Sequence, residues 1–268
     1  MHKTTLYYFS GSGNSLHVAK ELQRRLPRVE LVPMVAAAKL EEPRSDAEAV
    51  GFIFPIYLST LPLPVRRFLR KIDLSSAVYL FYVATRIGFP NVVRTAVERA
   101  LARQGRRIDA RWVLNMASST PTGLAPGKGD QSWLEKSRGA EFERIEAEAG
   151  RELDGIVEKV AARSRWPESE RWNPLRYLGY GAIAPLSKNN KVEVGYYVDD
   201  SCVSCGICEE VCLSGKVNLV DGKPIWQDEV PCYYCFACFN FCPEQSILVS
   251  KKWDRKDGRY HHPDVTVE

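Results

Sequence analysis

The chain has 268 residues, of which 45% are hydrophobic and 26% charged, and these proportions exclude a disordered or fibrous protein. This length allows two modest domains. The longest strongly apolar run, at residues 77–84, is far shorter than the roughly 18 to 20 residues that span a bilayer. We therefore expect a soluble chain with no membrane span. The N-terminus lacks the pattern of a secretory signal, so a reducing cytoplasm is the expected compartment.

The formal charge of +4 hides an asymmetry along the chain. Residues 1–191 carry 30 lysines and arginines against 20 acidic residues, whereas residues 192–268 carry 7 against 13. The arginines are spread out and no nucleic-acid-binding motif is recognisable, so we expect no nucleic-acid partner. The charges predict instead that the basic part docks on the acidic part or on an acidic partner.

The first half of the chain alternates strand and helix patterns. β-branched and aromatic residues at 3–9 predict a strand, and apolar residues recur at helical spacing over 16–26. Further apolar runs predict strands at 29–35, 49–54, 77–84 and 112–117, with helical patterns at 63–71 and 91–104 between them. This alternation predicts an α/β fold with a doubly wound, five-stranded parallel sheet.

The pattern changes after the last predicted strand. Residues 131–164 predict one long amphipathic helix, which completes a first domain at 1–164. Residues 165–191 contain tryptophans and prolines that favour an ordered connector. A second domain is expected at 192–250, followed by a polar and loosely held tail at 251–268.

All eight cysteines belong to one repeated motif. Cys-x2-Cys-x2-Cys-x3-Cys occurs twice, a spacing typical of two [4Fe-4S] clusters in which the fourth cysteine of each run ligates the other cluster. The spacing assigns Cys202, Cys205, Cys208 and Cys242 to one cluster (the first set), and Cys232, Cys235, Cys238 and Cys212 to the other (the second set). Structural zinc sites and a disulfide framework are the alternatives, but both usually group cysteines in pairs.

A loop rich in glycine and serine joins the first predicted strand to the first helix. This glycine–serine loop consists of Ser10, Gly11, Ser12, Gly13, Asn14 and Ser15. Hydroxyls and backbone N–H groups at a helix N-terminus suit a phosphate. The loop has no lysine and its glycines do not fit a dinucleotide fingerprint, so ATP and NAD are disfavoured. A serine-rich helix cap without a ligand is the alternative.

Two further loops follow predicted strands where open parallel sheets bind ligands, at the carboxyl ends of the strands. Pro55, Ile56, Tyr57 and Leu58 follow the third strand, and Thr85, Arg86, Gly88 and Phe89 follow the fourth. Tyr57 could stack on a planar ring. Arg86 is the nearby charge, and an arginine that faces solvent or a partner is the alternative for it.

These motifs resemble those of two known families. The glycine–serine loop resembles the phosphate loop of flavodoxins, Thr/Ser-x-Thr/Ser-Gly-x-Thr/Ser, and this resemblance over residues 3–120 implies a flavodoxin-like fold that binds FMN. Residues 192–250 resemble bacterial ferredoxins with two [4Fe-4S] clusters, which implies a small α+β domain. Leu213 departs from the family pattern, since proline commonly follows that cysteine. The whole is similar to flavodoxin–ferredoxin fusion proteins of anaerobic prokaryotes.

The resemblance implies an electron-transfer iron–sulfur flavoprotein that passes electrons between FMN, two [4Fe-4S] clusters and a redox partner protein. Two alternatives stay open. One is an FMN-dependent reductase of a small organic acceptor, fed by its own ferredoxin domain. The other is a flavin-free ferredoxin whose sheet domain docks partners. No catalytic acid–base set is apparent, which favours the electron carrier, and the catalytic residues and oligomeric state stay undetermined.

Overall fold

The computed structural model describes residues 3–88, 91–121, 139–166, 194–249 and 259–266. Within this part of the chain there are two compact units. The first unit comprises the described residues within 1–10, 15–115 and 149–192, and the second unit those within 11–14, 116–148 and 193–268. None of the helices in the described ranges has the length and apolar character needed to cross a membrane. The connector predicted at 165–191 lies almost wholly outside the described residues.

The first unit contains a five-stranded sheet in which all strands are parallel. The strands are β1 (Thr4–Tyr8), β2 (Val29–Pro33), β3 (Ala49–Pro55), β4 (Tyr79–Arg86) and β5 (Ala110–Asn115), in the order β2-β1-β3-β4-β5. The helices that alternate with them are α1 (Asn14–Arg25), α2 (Met34–Ala37), α3 (Leu63–Lys71) and α4 (Val93–Leu101). The predicted five-stranded parallel α/β sheet is confirmed, and its strand order is compatible with a flavodoxin-like fold.

The central strands of this sheet are buried on both faces. Six successive residues of β3 and seven of β4 are buried. Because side chains alternate between the faces of a strand, such runs mean that both faces are covered. Gly51 of β3 lies where a Cβ would come within 2.6 Å of Leu6 and would also collide with the ring of Phe81. The absence of a side chain at Gly51 therefore leaves space that the side chains of Leu6 and Phe81 fill.

Several element boundaries differ from the predicted ones. β2 ends at Pro33 because the buried Met34 begins α2. β4 and β5 are displaced by two residues from the apolar runs that predicted them. The helix predicted at 91–104 is α4 followed by a 3₁₀ turn, Ala102–Gln104, which ends at Gly105 with φ of 63°. The long helix, α5 (Gly139–Ala161), lies within the described part of the range predicted for it and ends three residues before the predicted end.

From residue 194 onward, the described part of the second unit contains two small antiparallel sheets and two helices of four residues each. β6 (Tyr196–Val198) pairs with β9 (Ile247–Val249), and β7 (Val217–Val220) pairs with β8 (Lys223–Trp226). The helices are α6 (Ile207–Glu210) and α7 (Ala237–Asn240), and each contains the third cysteine of its run. Cys208 and Cys238 are part of the small core of this unit, together with Val217, Phe239 and Ile247.

The C-terminal segment (residues 259–266) packs within the second unit. Tyr260, His262 and Val265 are all buried. The expectation of a loosely held tail is therefore wrong for these residues. Its polar composition suggested solvent exposure, but Arg259 and Tyr260 make hydrogen bonds to residues of α7 and β9 that lie far away in sequence.

Candidate functional site

The two cysteine runs adopt one backbone conformation twice. Ser204 and Gly206 in the first run have φ values of 60° and 84°, and the equivalent Tyr234 and Phe236 in the second run have 54° and 53°. Left-handed backbone costs a residue with a side chain roughly 1–2 kcal/mol, and such strain concentrates at functional sites. Left-handed residues in such turns also direct successive N–H groups to one side, which forms a concave site for anions and iron–sulfur clusters.

The cysteines of the first set surround a single pocket. All four of their side chains line it. Burial, aided by the charges of Cys242, Cys205 and Cys202, raises the pKa of the Cys208 thiol to about 11. The structure thus brings Cys242, from the second run, next to the first three cysteines of the first run.

The second set shows the reciprocal arrangement. Burial chiefly raises the pKa of Cys235 to about 12, and Cys232 and Cys212 add to the rise. Burial also raises the pKa of Cys238, again with contributions from Cys235, Cys212 and Cys232. Cys212 therefore lies with the second run although it belongs to the first. Burial favours the protonated form of the Cys235 and Cys238 thiols, so a bound metal must displace their protons.

Several hydrogen-bond donors reach the cysteine sulfurs. The backbone N–H of Tyr234 donates to Cys232 Sγ over 3.3 Å, and that of Val217 donates to Cys212 Sγ over 3.4 Å. Three side-chain hydroxyls also lie near a sulfur: Ser246 at 3.2 Å from Cys242, Ser214 at 3.6 Å from Cys212, and Tyr196 at 3.9 Å from Cys232. Donors of this kind stabilise thiolate charge and adjust the reduction potential of a cluster.

Two aromatic residues outside the cysteine runs also adjoin the second set. The rings of Tyr196 and Trp226 are stacked, with centroids 5.4 Å apart and planes 7° from parallel. The indole N–H of Trp226 is buried and makes no hydrogen bond of ordinary geometry within the described ranges. It still lies close enough to Cys238 to lower the pKa of that thiol. The sequence analysis missed both residues, because they lie outside the two cysteine runs.

The glycine–serine loop leads into α1, whose first turn contains no acidic residue. Gly13 has φ of 99°, in the region that favours glycine. The buried hydroxyls of Ser15 and Thr85 lie 2.8 Å apart and share a hydrogen bond. Ser15 and Thr85, predicted from two separate loops, therefore meet beside the first turn of α1, and hydroxyls at a helix N-terminus suit a phosphate.

The loop after β3 makes a tight turn. Tyr57 and Thr60 exchange two backbone hydrogen bonds, of 3.1 and 2.9 Å. The central residues, Leu58 and Ser59, have φ values of 47° and 63°. The side chain of Leu58 is 54% exposed. The ring of Tyr57 packs edge-on against Phe9, with centroids 6.2 Å apart.

The loop after β4 is tied to the loop after β3 and to β5. The N–H of Ile56, next to the half-buried Pro55, donates to the Thr85 carbonyl over 2.8 Å. Arg86 Nε donates to Asn115 Oδ1 over 3.0 Å. Gly88 is exposed with φ of 101°. Phe89 lies outside the described residues.

The remaining loop residues contact other parts of the second unit. The side chain of Asn14 is bonded at both ends, since Nδ2 donates to the Ala117 carbonyl and Oδ1 accepts from the Tyr260 hydroxyl, each over 2.8 Å. The Ser12 carbonyl accepts from the N–H of His262 over 2.7 Å. The sequence reasoning missed these contacts, because Tyr260 and Asn14 are 246 residues apart.

Comparison of the chain with protein-family models gives no match, and comparison with curated proteins gives none either. The residues of the two candidate sites are therefore the basis for assigning a function. One is the double cysteine site of the second unit. The other is the group of hydroxyls and N–H groups at the start of α1.

Proposed function

We propose that the protein is an electron-transfer iron–sulfur flavoprotein that holds two [4Fe-4S] clusters and FMN and passes electrons to or from a redox partner protein. The repeated backbone of the cysteine runs carries this proposal. Left-handed residues recur at matching positions, and a helix of four residues follows each pair. Tyr234 and Phe236 take this strained conformation without being glycine, so a site that needs the conformation twice is the simplest cause.

The separation of the sulfurs favours clusters over single metal ions. No three cysteine sulfurs within the described ranges come within 4.8 Å of one another. Four sulfurs around one tetrahedral zinc ion would be roughly 3.8 Å apart, given Zn–S bonds of about 2.3 Å. A cluster of several metal atoms needs the wider spacing. The first set would hold one cluster and the second set the other.

The chain supplies donors around each set. The N–H groups of Tyr234 and Val217 and the hydroxyls of Ser246, Ser214 and Tyr196 lie near sulfurs that would carry negative charge. The buried indole N–H of Trp226 lies near Cys238 and makes no hydrogen bond of ordinary geometry among the described residues, so a bound cluster would offer it an acceptor. Such donors favour the more negative, reduced state and so raise the reduction potential.

The start of α1 supplies neutral partners for the FMN phosphate. Ser15 would hold it together with Thr85, through hydroxyls at the positive end of the helix dipole. The exposed turn at Tyr57 and Leu58 would cover the flavin ring. When bound, FMN supplies exchange of one or two electrons and each cluster supplies single-electron steps.

A reductive titration under anaerobic conditions tests the proposal. The purified 268-residue chain should take up about four electrons, two for FMN and one for each cluster. Cys238→Ser should lower the uptake by about one electron, and Ser204→Ala, a matched small change in the first run that leaves every ligand in place, should not. Uptake of no electrons by iron–sulfur centres in the wild type would contradict the proposal.

A further inference from the structure

Three exposed apolar side chains adjoin the first cysteine set. Among the described residues six large apolar side chains are exposed, and three of them lie in the second unit: Val203, Val220 and Ile225, each between 47% and 62% exposed. We call these three residues the apolar tip. Val203 lies between two cysteines of the first run, and the other two residues belong to the β7–β8 hairpin. Apolar side chains exposed singly are ordinary, whereas a group of them indicates an interaction surface.

Val220 and Ile225 lie on the outer face of the hairpin. Val220 pairs with Lys223 and Asn218 pairs with Ile225, and paired residues of antiparallel strands share a face. Because side chains alternate along a strand, all four belong to the same face. All four are exposed, whereas Pro224 on the other face is buried. Val220 and Ile225 are thus diagonal neighbours that one partner can cover together.

The inner face of the same hairpin lies over the first set. Leu219 and Pro224 line the pocket that the first set surrounds, and Val203 lines it too. The hairpin turn also contacts the first run, since a Cβ at Gly222 would come within 2.9 Å of Ser204 Oγ. The hairpin therefore forms a thin wall, with the cysteines on its inner side and solvent on its outer side.

The first set is closer to solvent than the second set. Cys205 is exposed, and the other seven cysteines are buried or half-buried. A cluster held by the first set would thus have one ligand at the molecular surface, two residues from Val203. Electron transfer slows steeply as the distance between redox centres grows, so a partner gains most by docking where a cluster ligand is exposed.

The charge around the apolar tip indicates the kind of partner. Residues 194–249 carry eight acidic residues against two lysines and no arginine. Both lysines donate to backbone carbonyls, Lys216 to Val230 over 2.9 Å and Lys223 to Cys202 over 3.4 Å. Four exposed carboxylates lie in α6, in the hairpin turn and beside the pocket: Glu209, Glu210, Asp221 and Glu244. Such a surface attracts a basic protein and repels nucleic acid and anionic membranes.

We propose that the apolar tip is the docking surface for a basic redox protein. The inference rests on the proposed function. The tip supplies the apolar centre of the interface and the carboxylates supply its polar rim, the usual arrangement of transient interfaces. Electron-transfer encounters bury less than about 1,200 Å² in total, so a patch of this size suffices. The partner would give or take one electron per encounter, balanced by a one-electron change at the cluster of the first set.

Binding of cytochrome c, a basic haem protein, tests the docking surface. Calorimetric titration of the iron-loaded chain under anaerobic conditions, with both proteins oxidised, measures affinity without electron transfer. The double variant Val220→Ser/Ile225→Ser should bind cytochrome c about tenfold more weakly than the wild type, because it removes two apolar contacts from the centre of the interface. Leu40→Ser/Val78→Ser is the matched control, since these side chains of the first unit are 58% and 57% exposed. It should leave the affinity unchanged.

The salt dependence of the wild type tests the same surface without a variant. Affinity for cytochrome c should fall as the ionic strength rises from about 0.01 M to about 0.15 M, because the Debye length falls from about 30 Å to about 8 Å. Affinity that does not change with salt overturns the acidic rim and with it the proposal.

The iron content of each sample separates this inference from the proposed function. Equal affinity of the wild type and the tip variant, or no binding by the wild type at low salt, overturns the docking surface. With about eight iron atoms in the same samples, the proposed function stands. A wild type without iron overturns the proposed function itself. Self-association of the wild type that the tip variant abolishes, measured by sedimentation, would assign the tip to a second copy of this chain and overturn the proposal.

Discussion

Substitution of two glycines that share one backbone conformation isolates the contact between the glycine–serine loop and the C-terminal segment. Gly13 has φ of 99° and Gly88 has φ of 101°, so alanine meets the same backbone strain at both positions. Within the described ranges, a Cβ at Gly88 has no atom within 4 Å, whereas a Cβ at Gly13 lies 2.9 Å from His262 Cβ and 3.0 Å from Val265 Cβ. Carbon atoms prefer separations of about 3.5–4.0 Å. Gly13→Ala therefore demands that the segment move.

The cost of that movement can be measured locally. The neighbours of the added methyl are Cβ atoms fixed to the backbone, so they cannot rotate away, and overpacking of this kind costs roughly 1–3 kcal/mol. The His262 amide donates to the Ser12 carbonyl over 2.7 Å. In Gly13→Ala this amide should exchange with deuterium about tenfold faster than in the wild type, since a factor of ten corresponds to about 1.4 kcal/mol. Gly88→Ala should leave that amide protected. Equal protection in both variants would refute the contact.

Four further substitutions test the separate sites. Cys242→Ser and Cys212→Ser should each lower the iron content from about eight to about four atoms, but should abolish different electron paramagnetic resonance signals, because the fourth cysteines are exchanged between runs. Tyr196→Phe should lower the reduction potential of one cluster by roughly 30 mV. This is about half of the ~59 mV that corresponds to a tenfold change in the equilibrium constant of a one-electron reduction. Ser15→Ala should weaken FMN binding about tenfold, because the buried Thr85 hydroxyl also loses its partner.

Matched controls decide how these results are interpreted. Tyr197→Phe removes a neighbouring buried hydroxyl that has no hydrogen-bond partner within the described ranges, so it should shift neither cluster potential. Ser45→Ala removes another buried serine hydroxyl of the first unit and should leave FMN affinity unchanged. Loss of the same resonance signal in both cysteine variants would contradict the exchanged ligand sets. A potential shift of equal size in both tyrosine variants would contradict the role of Tyr196.

The sheet could be predicted from the sequence because its central strands, β3 and β4, are almost continuous apolar runs. Residues of β3 and β4 are apolar in succession, which is typical of parallel strands covered on both faces. The ends of elements were less predictable. Val35 continues the apolar run of β2, yet Met34 turns into α2 and is buried there, a tertiary preference with no local signal.

The grouping of the cysteines into two sets could be predicted from their spacing. The residues that surround the cysteine sulfurs could not. Tyr234 and Phe236 take left-handed backbone, which their side chains disfavour and which only the repeat with Gly206 could suggest. The burial of the C-terminal segment was still harder to predict. The contact between Tyr260 and Asn14 spans 246 residues, and polar composition at the chain end indicated exposure. Burial through hydrogen bonds rather than apolar area leaves no hydrophobic pattern to detect.

Quantitative analysis of the protein purified under strict anaerobic conditions tests the central claim most directly. Iron, acid-labile sulfide and flavin should be present at about eight, eight and one per chain, with the two bands of a flavin above a broad iron–sulfur absorption. A colourless protein that contains zinc, or neither iron nor flavin, would contradict the account.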